Sequence, residues 1–237
     1  MRMRTLGIVG GIGPQSTIEY YRLLVAEFRE RTRDDSYPSL LIDSIDVNRL
    51  LMLAGRPDRR GLVEYLLQSV SRLARAGADF ALLAANTPHL VFDELAAISP
   101  IPLVSIVQAT CDFALAHGLK RLGLFGTRFT MQAGFYQETF ARAGMAVIIP
   151  DVEEQNFIHE SYVREFVNGI FLPEARESLL RIVQAMKKRD RIEGLILGGT
   201  ELPFILPDGS DEIPFLNTTR VHVNAALERL VPKSPHG

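Results

Sequence analysis

The segment LGIVGG (6–11) returns as LGLFGT (122–127), and LAANTPH (83–89) is answered by LILGGTE (195–201). Both echoes are spaced by about 115 residues, room for one α/β unit each. LAANTPH and LILGGTE are each an apolar run that ends in tiny and then polar residues. A chain written twice in this way has few folds open to it. Short β-rich runs alternating with longer amphipathic ones predict an α/β protein of two similar units with mostly parallel sheets.

The spacing predicts strands over 5–9, 39–44, 80–84 and 103–106, with helices over 14–30, 60–76 and 107–117. Pro14 suits a first helical turn. Leu62, Tyr65, Leu66, Val70 and Leu73 form a helical stripe, and Gly118 supplies a helix stop. From Arg121 the pattern restarts, with strands over 122–125, 146–149 and 194–197 and helices over 128–143, 153–169 and 173–188. Residues 215–217 lead into a terminal helix over 219–230, 207–210 reads as a turn, and 231–237 as a frayed tail. The expected domains are 1–117 plus 215–237, and 118–214.

With 237 residues, 47% apolar and 23% charged, the chain can bury a large core and has an ordinary globular composition. Its net charge of -2 argues against a nucleic-acid partner or a basic membrane-binding face. No apolar stretch approaches the ~20 residues of a bilayer-spanning helix. The run from Leu6 is broken at once by glycines and Pro14, unlike a signal peptide. Cys111 is the single cysteine, which excludes an internal disulfide and a multi-cysteine metal cluster. The composition reads as a cytoplasmic protein, with no metal, no nucleic acid and no membrane association.

In open α/β sheets a ligand sits beyond the carboxyl ends of the strands. Three polar constellations fall there. GGIGPQST (10–17), with Gly11 and Gln15, joins a strand to a helix and offers N–H groups to a carboxylate or phosphate. It lacks the ending of a P-loop and half-matches a dinucleotide fingerprint, with Asp43 or Asp46 near the ribose-binding distance. The second constellation is the pair of polar turns: Asn86, Thr87 and His89 in one unit, Thr200 and Glu201 in the other. Singly, Asn86 and Thr200 read equally well as helix caps; placed symmetrically, the turns point to one ligand cleft between the units. The third, GTRFT (126–130), offers the hydroxyls of Thr127 and Thr130, with Arg128 either a guanidinium anchor or a surface charge.

Together GIVGGIGPQST (7–17), NTPH (86–89), LFGTRFT (124–130), GGTEL (198–202) and FLNTT (215–219) resemble the aspartate/glutamate racemase family over nearly the whole chain. The resemblance implies two pseudo-symmetric α/β domains around a central cleft, commonly in a homodimer. It also implies cofactor-independent inversion of an amino acid whose carboxylate is held by Asn86, Thr87, Thr127 and Thr200. In the family a thiolate takes the Cα proton from one face while a thiol returns one from the other; cysteine suits this because its pKa falls at helix N-termini. The two cysteine positions correspond here to Ala85 and Gly199, which titrate nothing. The family's Phe-Asp-Thr pattern becomes Phe215-Leu216-Asn217-Thr218. A two-thiol mechanism is impossible in this chain, and Cys111, spaced with Ala109, Phe113 and Ala114, reads as packing.

Three functions follow. In the first, an isomerase keeps the carboxylate cradle and uses other acid/base groups, His89 as acceptor and Glu201 as donor. Each has a structural alternative: His89 bonded to backbone, and Glu201 beside a helix dipole. In the second, the scaffold binds a small carboxylate without turnover, in a cavity enlarged by the small residues Ala85 and Gly199. A nucleotide-dependent oxidoreductase is a third option and would need a long groove. Arg49 and Arg128 are both candidates for anchoring the substrate's side chain.

Overall fold

The computed structural model describes residues 3–207 and 213–231. The first half runs β1 (Thr5–Gly10), α1 (Pro14–Thr32), β2 (Ser39–Ser44), α2 (Val47–Ala54), α3 (Arg60–Arg75), β3 (Phe80–Leu83), a 3-10 turn (Thr87–Val91), α4 (Phe92–Ile98), β4 (Leu103–Val104) and α5 (Ile106–Ala116). The second runs β5 (Arg121–Gly126), α6 (Arg128–Gln132), α7 (Phe135–Arg142), β6 (Ala146–Ile148), α8 (Val152–Arg164), a 3-10 turn (Phe166–Asn168) and α9 (Pro173–Asp190). It closes with β7 (Gly194–Gly198), α10 (Leu202–Ile205), β8 (Phe215–Asn217) and α11 (Thr218–Leu230). The turn expected at 207–210 and the tail expected at 231–237 extend into residues outside this description.

The duplication in the sequence is a duplication of topology. The two four-stranded sheets have the orders β2-β1-β3-β4 and β6-β5-β7-β8, and every pairing in them is parallel. In each, the chain steps from its first strand to the sheet edge and then returns to the other side of that first strand. The order therefore reverses between β1 and β3, and again between β5 and β7, the switch points where α/β sheets open a crevice.

Two compact units result, Met1–Ile106 with Thr219–Gly237, and Val107–Thr218. Relative to the expected partition, α5 after its first residue and β8 go with the second unit. The reasons are local. β8 extends the second sheet through Leu195↔Phe215, and the Cys111 thiol on α5 lies 4.0 Å from Thr139 O on α7. The first core gathers Leu6, Ile8, Tyr20, Leu24, Phe80 and Leu82, closed by Val223, Ala226 and Leu227 of α11. The second gathers Phe125, Ile158, Leu179, Val183, Leu195 and Leu197.

The observed elements depart from the expected ones in several places, α4 and α10 being unanticipated and the helix expected over 153–169 dividing into α8 and the 3-10 turn at Phe166–Asn168. Helix α2 was not anticipated; Asp46 caps it, accepting from Asn48 N–H at 2.8 Å. The single helix expected over 128–143 breaks into α6 and α7 at Gly134, whose φ of 86° is left-handed. β4 is only two residues long, because Ile106 already opens α5.

Candidate active site

In the first unit Val9 lies beside Leu83 in register, so the glycine loop and the NTPH turn leave the sheet side by side. Ser16, 2% exposed, ties them together by donating to Ala84 O at 2.5 Å. Gly11 has φ +78°, and its N–H is used inside the loop, donating to Thr17 Oγ1 at 2.8 Å. The Gly11 N–H is therefore taken from the anion cradle expected of this turn. Helix α1 has no side-chain cap and no acidic residue in its first turn, and Gln15 is exposed there. Asn86 is buried and makes no cap hydrogen bond to the 3-10 turn, so the capping reading does not hold for it. Thr87 and Ala85 are partly exposed.

His89 is 4% exposed, its Nδ1 lying 3.1 Å from Ala85 O while Nε2 accepts the Ile106 N–H at 3.1 Å. A carbonyl only accepts, so Nδ1 carries the proton and the Nε2 lone pair is committed to the backbone. Burial, followed by the neighbouring His222, pulls its pKa from 6.5 to about 3. His222 is fully buried in the same manner, Nδ1 facing Tyr20 OH at 2.8 Å and Nε2 facing Val104 O at 2.9 Å, with burial lowering its pKa to about 4. Both rings are neutral structural parts of the first unit. The expected base role of His89 is corrected accordingly: its lone pair is already taken.

The acidic residues of the dinucleotide alternative are occupied as well. Asp43 is held by Ser69 and by Arg72 at 2.7 Å, and Asp46 caps α2. Arg49 lies over the Tyr65 ring at 4.7 Å.

The second unit repeats the arrangement, with Gly126 beside Gly198. A Cβ built on Gly126 would stand 2.9 Å from Gly198 O and from Thr130 Cβ, so glycine here lets the two turns touch. Thr127 caps α6, accepting from Thr130 N–H at 3.4 Å; Thr130 is 1% exposed. Arg128 leans on α8, donating to Asn156 Oδ1 at 3.1 Å. Burial raises the Cys111 thiol pKa, as expected of a packed cysteine.

At Gly199 the enlarged cavity expected from the sequence is not found. The space is filled by Tyr162 of α8, which is 6% exposed. Its hydroxyl donates to Glu201 Oε2, which also accepts from the Thr200 hydroxyl at 2.8 Å. Burial, reinforced by the Glu201 charge, raises the phenol pKa well above 10. Sequence reasoning named Thr200 and Glu201 but missed Tyr162, which stands 39 residues from its partner. Its one signal was the apolar face of α8. Among the described residues no three His, Cys, Asp or Glu side chains form a metal-ligating group, and no helix is long and apolar enough to cross a membrane.

Two parallel sheets of like order, each with a polar turn at its switch point, define a duplicated α/β scaffold of the amino-acid racemase kind. The chain belongs to the Asp/Glu/hydantoin racemase family, whose model matches residues 9–226. It is 24% identical over 220 residues to the broad specificity amino-acid racemase RacX of Bacillus subtilis, covering 90% of this chain and 92% of that protein. The crystal structure of an aspartate racemase homologue from Pyrococcus horikoshii OT3 has 32% identity and a TM-score of 0.86, covering 96% of this chain and 99% of that one. Picrophilus torridus aspartate racemase, at 22% identity, 95% and 93% coverage and a TM-score of 0.72, shares the fold.

Proposed function

We propose that this chain is a cofactor-independent, cytoplasmic isomerase that moves the Cα proton of an acidic amino acid or related small carboxylate. The candidate substrate contacts are Gly11, Gln15, Asn86 and Thr87 in the first unit and Thr127, Thr130 and Thr200 in the second, and Glu201 is the acid/base group. Family membership over residues 9–226 carries this reading. The polar turns at both switch points support it, as does the breadth of substrate in the name of the Bacillus subtilis relative. With no thiol at Ala85 or Gly199, proton transfer falls to a carboxylate.

The test is loss of the Cα–H signal in heavy water, followed by NMR, with aspartate, glutamate and a panel of other amino acids. Wild-type protein should exchange at least one of them, and Glu201→Gln should slow that exchange by roughly 10²-fold or more. The loss of both titrating side chains favours a second reading, a binding protein on the same scaffold. Stabilisation by a dicarboxylate in a thermal-shift assay, with no exchange of any amino acid tested, would replace the first reading with this one.

We further propose a homodimer. Ile18, Tyr21, Ile42, Leu51 and Met52 are large apolar side chains exposed on α1, on the edge strand β2 and on α2, and exposed apolar groups of this size favour association. Sedimentation velocity at micromolar concentration should give twice the chain mass; a monomer at that concentration would refute it.

A further inference from the structure

Gly199 has no side chain, yet the space beside it is full. A Cβ built there would lie 2.6 Å from both Cε2 and the hydroxyl oxygen of Tyr162 and 2.9 Å from Cζ, so no larger residue fits while Tyr162 stays. Tyr162 is held in place from two sides. Its ring packs edge-on against Phe166 at 6.1 Å, and its hydroxyl donates to Glu201 Oε2. Thr200 donates to that same oxygen at 2.8 Å. Oε2 thus takes two donors, while Oε1 of Glu201 makes no hydrogen bond to any described residue. A carboxylate fixed through one oxygen, with the other unbonded to the described residues, is a proton acceptor of defined direction.

We propose that Tyr162 is a positioning residue for proton transfer: it takes the volume left at Gly199 and holds Glu201 so that Oε1 exchanges the proton with the substrate Cα. This rests on the isomerase reading above. In the step, the Cα–H bond breaks and an O–H bond forms on Oε1. The electron pair stays on the substrate as a carbanion delocalised into its carboxylate. Return of a solvent-exchanged proton from Oε1 gives exchange with retention, and a proton delivered by water to the opposite face of the carbanion gives inversion, the hydroxide left behind being neutralised by the proton on Oε1. The phenol proton remains on Tyr162 throughout, in keeping with its raised pKa.

The experiment has two arms. Tyr162→Phe keeps the ring and removes the hydroxyl. It should lower kcat for Cα–H exchange by about 100-fold with KM little changed. If wild type exchanges and Tyr162→Phe matches it in both kcat and KM, the positioning role is overturned and the isomerase reading stands. The second arm needs no activity. Gly199→Ala should lower the thermal midpoint clearly in the wild-type background and much less in a Tyr162→Ala background; equal losses in both would overturn the occupancy of that space by Tyr162. Coupled losses together with no exchange by wild type would overturn both the isomerase reading and the proton-transfer role, leaving the occupancy in place.

Discussion

Replacing Gly11 by alanine is expected to destabilise the first unit by about 3 kcal/mol, the sum of a left-handed backbone angle and a collision with main chain. Gly11 sits at φ +78°, and an added Cβ would meet Ile45 O at 2.3 Å, Ser44 Oγ at 2.7 Å and Ile45 N at 2.8 Å. Backbone atoms cannot swing aside as a side-chain tip can. Ile45 N–H in turn bonds Gly10 O at 2.9 Å, so relief of the clash would pull apart the ends of β1 and β2. Gly118→Ala is the matched control: its φ is +70°, but nothing lies within 4 Å of the added methyl. It should cost only about 1 kcal/mol, the dihedral share alone. Urea unfolding of the two variants separates the terms, and equal losses would show that the contact with Ile45 is harmless.

Acidification from pH 7 to pH 4 is expected to weaken the first unit by several kcal/mol. An unfolded histidine takes up its proton near pH 6.5, whereas folded His89 stays neutral to about pH 3 and His222 to about pH 4. Within that window the unfolded chain binds more protons than the folded one. The stabilisation is complete above pH 6.5 and is lost as the pH falls, by about 1.4 kcal/mol per pH unit for each histidine. Urea titrations at pH 7, 6 and 5 measure the slope, and His222→Gln should reduce it by about half relative to wild type. A slope identical in the variant would mean that His222 is charged in the folded state.

Much of the fold was legible in the sequence because strand-ending glycines and helical stripes punctuate it. β2 was placed to the residue, and the echo between LGIVGG and LGLFGT foretold two similar α/β units, though not their strand order. The misses have physical causes. α2 is one short helix whose signal, the capping carboxylate of Asp46, was read as a possible ribose contact. The break at Gly134 was hidden because glycine within a helical pattern does not by itself declare a left-handed angle. The site was half legible. The polar turns and their glycines could be found, since short-range spacing carries them. The commitment of the His89 lone pair to Ile106 N–H, and the arrival of Tyr162 over Gly199, depend on contacts between distant segments. No local pattern encodes them.

The descent of α11 onto the core of the first unit has a consequence for biosynthesis. The second unit is contiguous in the chain and can condense as soon as its last strand leaves the ribosome. The first, although its strands are made earliest, lacks Val223, Ala226 and Leu227 until α11 has been synthesised. Translation thus delivers the two halves in inverted order of completion. A nascent chain paused after β8 would carry a finished downstream half beside an upstream half whose apolar floor is still bare.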